Sequence, residues 1–105
     1  MAEFVAVAKV SDIAPGETKG VQVGSQDVCL ANVDGTIYAI GGVCTHAGGP
    51  LADGYLEGNL LECPWHAGQF DVTTGEPVQM PVMDPVPHYE VQVEGDDIKV
   101  STAPS

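Results

Sequence analysis

No stretch of a dozen residues in this chain keeps a helical period, whereas short runs of Val, Ile, Tyr and Phe recur between Gly, Pro, Asn and Asp. That pattern predicts an all-β fold. The expected strands run from Phe4 to Val10, Gly20 to Val23, Asp27 to Val33, Thr36 to Ile40, Leu60 to Cys63, Gln69 to Val72, His88 to Glu94 and Ile98 to Ser101. Eight short strands with tight turns fit a small antiparallel β sandwich or closed barrel. Asp34-Gly35 supplies the positive φ values of a two-residue hairpin turn, and Gly95-Asp96-Asp97 reads the same way. Along DVCLANV, alternation gives Val28 and Leu30 to one face and Cys29, Ala31 and Val33 to the other, with Cys29 expected as a small core residue. Thr102 to Ser105 reads as a frayed tail.

The 105 residues suit one domain, and 44% hydrophobic against 17% charged residues is enough to fill one core. Fifteen Asp and Glu face only Lys9, Lys19 and Lys99, with no Arg, for a net charge of -12. Such a surface repels phosphate backbones and anionic headgroups, which argues against nucleic-acid and membrane roles and for protein partners with basic faces. The same charge favours a monomer. Met1 to Val10 lacks the basic and apolar regions of a signal peptide, and no run approaches a membrane span, so a soluble, cytoplasmic protein is expected. Three cysteines are too few, and an odd number, for a disulfide framework.

Two stretches do not read as ordinary strands. Gly41 to Gly58 holds six glycines and is expected to be a long functional loop. Glu76 to His88, with Pro77, Pro81, Pro85 and Pro87, must stay extended and suits a stiff cover. Within and after the first of these, Cys44-Thr45-His46 and Cys63-Pro64-Trp65-His66 form C-x-H and C-x-x-H pairs separated by the sixteen residues Ala47 to Glu62. Two Cys and two His make a four-ligand metal set. Tetrahedral zinc accepts such a set, although its finger form groups Cys with Cys and His with His. Mixed pairs make chemical sense when two irons differ, with cysteines on one and histidines on the other, as in a Rieske [2Fe-2S] centre.

On these residues the chain resembles the Rieske-type ferredoxins of bacterial aromatic-ring-hydroxylating dioxygenase systems. The resemblance extends over the strand order, the glycine-rich spacer and the proline segment. It implies a Rieske fold, in which a cluster-binding subdomain at about Gly41 to Gly75 is inserted into an antiparallel β scaffold within a single domain of residues 1–105. It implies one [2Fe-2S] cluster, with Cys44 and Cys63 on the buried iron and His46 and His66 on the outer iron that changes valence. The implied role is one-electron transfer from a flavin-containing NAD(P)H reductase to a terminal oxygenase, with no catalytic residues of its own. Pro64, Trp65 and Pro81 are candidates for an apolar docking rim, and His88 reads as a histidine at the start of a strand.

Relative to the high-potential branch, the positions of two clamping cysteines hold Gly49 and Trp65, and those of a serine and a tyrosine bonded to cluster sulfur hold Gly68 and Phe70. With those hydrogen bonds absent and a charge of -12 around it, the midpoint is expected near the low end of the Rieske range, about -150 mV. An oxygenase would need a further iron held by two His and a carboxylate, and only His88 remains once the cluster ligands are assigned. A Rieske-like small subunit of a nitrite or other reductase, in which the ligands are often lost, and a zinc-stabilised binding module are the alternatives. The aromatic substrate and the reductase type are not written in these residues.

Overall fold

The computed structural model describes residues 3–24, 26–42, 51–63, 68–79 and 86–104. Ten strands follow one another: β1 (Phe4–Lys9), β2 (Thr18–Val23), β3 (Gln26–Val33), β4 (Thr36–Gly41), β5 (Tyr55–Glu57), β6 (Leu60–Glu62), β7 (Gln69–Asp71), β8 (Pro77–Gln79), β9 (His88–Glu94) and β10 (Asp97–Pro104). The described helical turns, Val10–Asp12 and Leu51–Asp53, are single 3-10 turns. Among the described residues, no helix is long and apolar enough to cross a membrane.

β1, β10, β9, β4, β3 and β2 lie in that order in one antiparallel sheet, whose outer strands β1 and β2 approach each other to make a nearly closed barrel. β5, β6, β7 and β8 form a second antiparallel sheet, contributed by the chain between β4 and β9. The alternation along β3 decides how the two sheets meet. Val28 and Leu30 enter the barrel core with Ile13, Ile37, Ile98 and Val100, while Cys29 and Ala31 enter a second core with Ile40, Leu51, Leu61, Cys63, Phe70, Val72 and Val86. β3 and β4 are therefore walls shared by two cores, with apolar residues on both faces.

The Asp34-Gly35 turn has φ of 53° and 94°, as its hairpin requires, and residues 36 and 33 pair across it. Glu94 pairs with Asp97, and Gly95 takes the positive φ of 62° at the first linking position. Asn32 is buried with both of its side-chain polar atoms bonded: its Nδ2 donates to Ile13 O at 2.8 Å, and its Oδ1 accepts from Gly35 N at 2.8 Å.

Three expectations need correction. The glycine-rich stretch contains the turn Leu51–Asp53 and strand β5, because Tyr55, Leu56 and Glu57 find partners in Glu62, Leu61 and Leu60. The proline-rich stretch opens as β8, where Pro77 sits at the first position of an edge strand and no ladder donor is missed. The C-terminal tail is not frayed as far as Pro104, since Thr102 N–H bonds Glu3 O at 2.8 Å and β10 continues through these residues.

Candidate metal centre

Of the four donor residues read from the sequence, Cys63 lies in the described structure; Cys44, His46 and His66 lie outside the described residues, as do Pro64, Trp65 and Pro81. Cys63 follows β6 directly and is 1% exposed. Its N–H donates to Gly68 O at 2.7 Å, which joins the two ends from which residues 64–67 depart. Leu61 and Phe70, paired across β6 and β7, are both fully buried beneath it.

The other donor-bearing segment is anchored in the same way. Leu51 N–H donates to Gly42 O at 2.9 Å, bringing together the two ends of residues 43–50, and Gly42 N–H is held by Asp27 O at 2.8 Å next to β3 pairing. Leu51 has no exposed surface and shares the apolar core with Cys63. Both segments therefore depart from one core.

The end of the proline-rich stretch reaches the same region. Val86 N–H bonds Gly75 O at 2.9 Å, and Pro87 O accepts from Gly41 N at 2.7 Å. Gly75 has φ +81°, and a Cβ there would stand 2.2 Å from Val86 O, so only glycine allows the two chains this close. Val86 is buried against the core that holds Cys63.

Outside these foundations, the singled-out residues have structural roles. Cys29 is a free, fully buried thiol, and burial pushes it up to about 12, which makes it an unreactive core residue as expected. His88 opens β9 opposite Ile40 and is half-buried. Among the described residues, no three His, Cys, Asp or Glu side chains converge on a common point. The sequence reading missed Leu51, Gly75 and Val86 as supports of the site. Their available signals were modest: an apolar residue closing a glycine-rich run, a glycine after Thr73-Thr74, and a Val-Pro pair ahead of a strand.

The described part of the site, Cys63 and its apolar surroundings, fits the thiolate side of an iron-sulfur cluster. A cysteine sulfur ligand needs a dry, apolar wall on its inner side, because the hydrophobic shell around a metal site controls water access and so its potential. Leu51, Leu61, Phe70 and Val86 provide that wall around Cys63. Two antiparallel sheets thus share a core from which both Cys- and His-bearing segments depart. The chain belongs to the Rieske [2Fe-2S] domain family, whose pattern matches residues 3–90, and its group is one [2Fe-2S] cluster.

Among its relatives is the ferredoxin component of the naphthalene 1,2-dioxygenase system of Pseudomonas putida, 40% identical over 92 residues that make up 88% of each chain. The ferredoxin of carbazole 1,9a-dioxygenase from Nocardioides aromaticivorans superposes with a TM-score of 0.90 at 36% identity, covering 97% of this chain and 98% of that one. A chain from a complex of reduced oxygenase and oxidised ferredoxin in carbazole 1,9a-dioxygenase superposes with a TM-score of 0.92 at 33% identity, covering 97% and 95%.

Proposed function

We propose that this chain is a cytoplasmic one-electron carrier that takes electrons from a flavin-containing NAD(P)H reductase and delivers them to the terminal oxygenase of an aromatic dioxygenase system. When bound, the cluster accepts and releases one electron at a time, and no substrate is turned over. Cys44, His46, Cys63 and His66 would hold it, the cysteines on one iron and the histidines on the other. The cluster-binding part runs from Gly41 to about Gly75 within one domain, and the carrier works as a monomer.

The observation that carries this reading is the common footing of the two donor-bearing segments. Each has its ends joined by one backbone hydrogen bond, Leu51 to Gly42 and Cys63 to Gly68, on one apolar core. Leu61, Phe70 and Val86 keep water from the Cys63 side, and the rest of the chain supplies charge and rigidity. A carrier must leave its partner after every transfer, so its docking faces are small and its association weak and fast.

The test is the low-temperature electron paramagnetic resonance spectrum of anaerobically purified protein reduced with dithionite. A rhombic signal with average g below that of all-cysteine [2Fe-2S] ferredoxins supports the ligand set. A silent sample holding one zinc and no acid-labile sulfide overturns it.

A further inference from the structure

The turn Leu51–Asp53 touches the foundations of both donor-bearing segments. On one side, Leu51 N–H closes residues 43–50 onto Gly42 O, and Gly54 N–H returns to Leu51 O at 3.0 Å. On the other, Gly54 lies flat against the residue before Cys63: a Cβ on Gly54 would stand 2.1 Å from Glu62 O. The turn is thus a wedge between the exit of the first segment and the entry of the second.

The wedge is braced from outside by β2. Thr18 Oγ1 donates to Ala52 O at 2.8 Å. Gly20, two residues along and so on the same face of the strand, comes close enough that a Cβ would meet Ala52 Cβ at 3.2 Å. Thr18 and Gly20 pair with Ala31 and Cys29, whose side chains face the core that holds Cys63. β2 is an outer strand of its sheet, and this face is where the wedge rests.

We propose that Thr18 and Gly20 are positioning residues of the cluster site. They fix Ala52, and through Leu51 and Gly54 they set the spacing between Gly42 and Leu51, from which residues 43–50 depart, and Glu62 and Cys63, from which residues 64–67 depart. The inference rests on the ligand set proposed above. Its physical basis is that close-packed contacts transmit a displacement, and that contacts behind metal ligands tune the metal by orienting those ligands and controlling water access. Removing the Thr18 hydroxyl leaves the Ala52 carbonyl without this donor and loosens the wedge. Water gaining access to an anionic group favours the form carrying the extra electron, so the midpoint moves upward.

The experiment compares the cluster-loaded wild-type protein with Thr18→Val, Thr18→Ser, Gly20→Ala and, as a control in the distant barrel core, Ile98→Val. Midpoint potential and electron paramagnetic resonance g values are read on the loaded proteins, and amide hydrogen exchange at Leu51 and Gly54 on the cluster-free forms. Thr18→Val and Gly20→Ala are expected to raise the midpoint and alter the g anisotropy, and Thr18→Val to speed exchange at Leu51 about fivefold, the factor one lost hydrogen bond supplies. Thr18→Ser keeps the donor and the wild-type values. Ile98→Val lowers the melting temperature and leaves the spectrum unchanged. The positioning role is overturned if Thr18→Val and Gly20→Ala hold a cluster with wild-type g values and midpoint, or if Ile98→Val shifts them as far. A wild-type protein that binds no cluster after reconstitution with iron and sulfide overturns the ligand set itself, and this role with it.

Discussion

Cys29 lies in the middle of β3 with no exposed surface, and its thiol is pushed by burial from 9.0 to about 12. The unfolded thiol ionises near pH 9, the folded one near 12. Between these values the unfolded chain holds fewer protons, so stability falls as pH rises, by about 1.4 kcal/mol per pH unit. Urea unfolding of the wild-type protein and Cys29→Ala at pH 8 and pH 10 should show the variant gaining ground at the higher pH. A gap that stays constant would mean that the native thiol ionises as readily as the unfolded one. The face to which Cys29 belongs was legible in DVCLANV because period-two alternation survives even where both faces of a strand are buried. Phe70, which the resemblance sets in the place of a sulfur-bonding tyrosine, is fully buried in the core of Cys63. The expected midpoint near -150 mV would be contradicted by voltammetry above about +100 mV. Phe70→Tyr should raise the midpoint, and an unchanged value would show that the added hydroxyl finds another acceptor.

At the scale of the element, the eight strands with a clear apolar run were readable and two of three residues each were not. β5 and β8 carry no alternation long enough to register. They exist because β6 and β7 offer them edges, a tertiary cause that local propensity does not report. The contacts between turns were hidden for the same reason. Gly75→Ala places a Cβ into Val86 O at a positive φ, and should cost roughly 1–3 kcal/mol by forcing Val86 away from its hydrogen bond. Thermal melts and hydrogen exchange at Val86 check this. Asp71, at the end of β7, bonds Thr73 N at 2.9 Å and Thr73 Oγ1 at 2.6 Å. Desolvation works upward on its carboxyl, but the bonds from Thr73 and Asn59 prevail and hold it below the usual range. The stabilisation is present above the unfolded carboxylate's range and is lost as pH falls through the depressed folded value. Asp71→Asn should therefore cost under about 1 kcal/mol at pH 7, with the difference from wild type shrinking below pH 4. A difference independent of pH would assign the cost to shape alone.

Over the whole molecule, the charge is distributed unevenly. Two of the three lysines are neutralised beside the β9–β10 hairpin, Lys9 by Asp97 at 3.1 Å and Lys99 by Glu94 at 2.8 Å, and these bonds hold both ammonium groups above their ordinary range. The chain from Gly41 to Pro87, which includes both donor-bearing segments, has no Lys or Arg and contains Asp53, Glu57, Glu62, Asp71, Glu76 and Asp84. A partner with a basic docking surface is therefore drawn toward the molecule by a field that extends about one Debye length, roughly 10 Å at 0.1 M salt. For the proposed carrier this gives a kinetic expectation. The second-order rate of electron transfer from the reductase, measured by stopped flow, should fall steeply as ionic strength rises from 10 mM to 500 mM. Glu57→Lys should flatten that dependence and lower the low-salt rate. Glu57 is exposed on β5, where the reversal leaves partly buried Leu56 and fully buried Leu61 and Phe70 untouched. Equal rates at both salt extremes would show that encounter is not electrostatically steered. In that case the excess of acidic residues would have only a role in keeping the chain soluble and unassociated, and the docking contact would have to be apolar throughout.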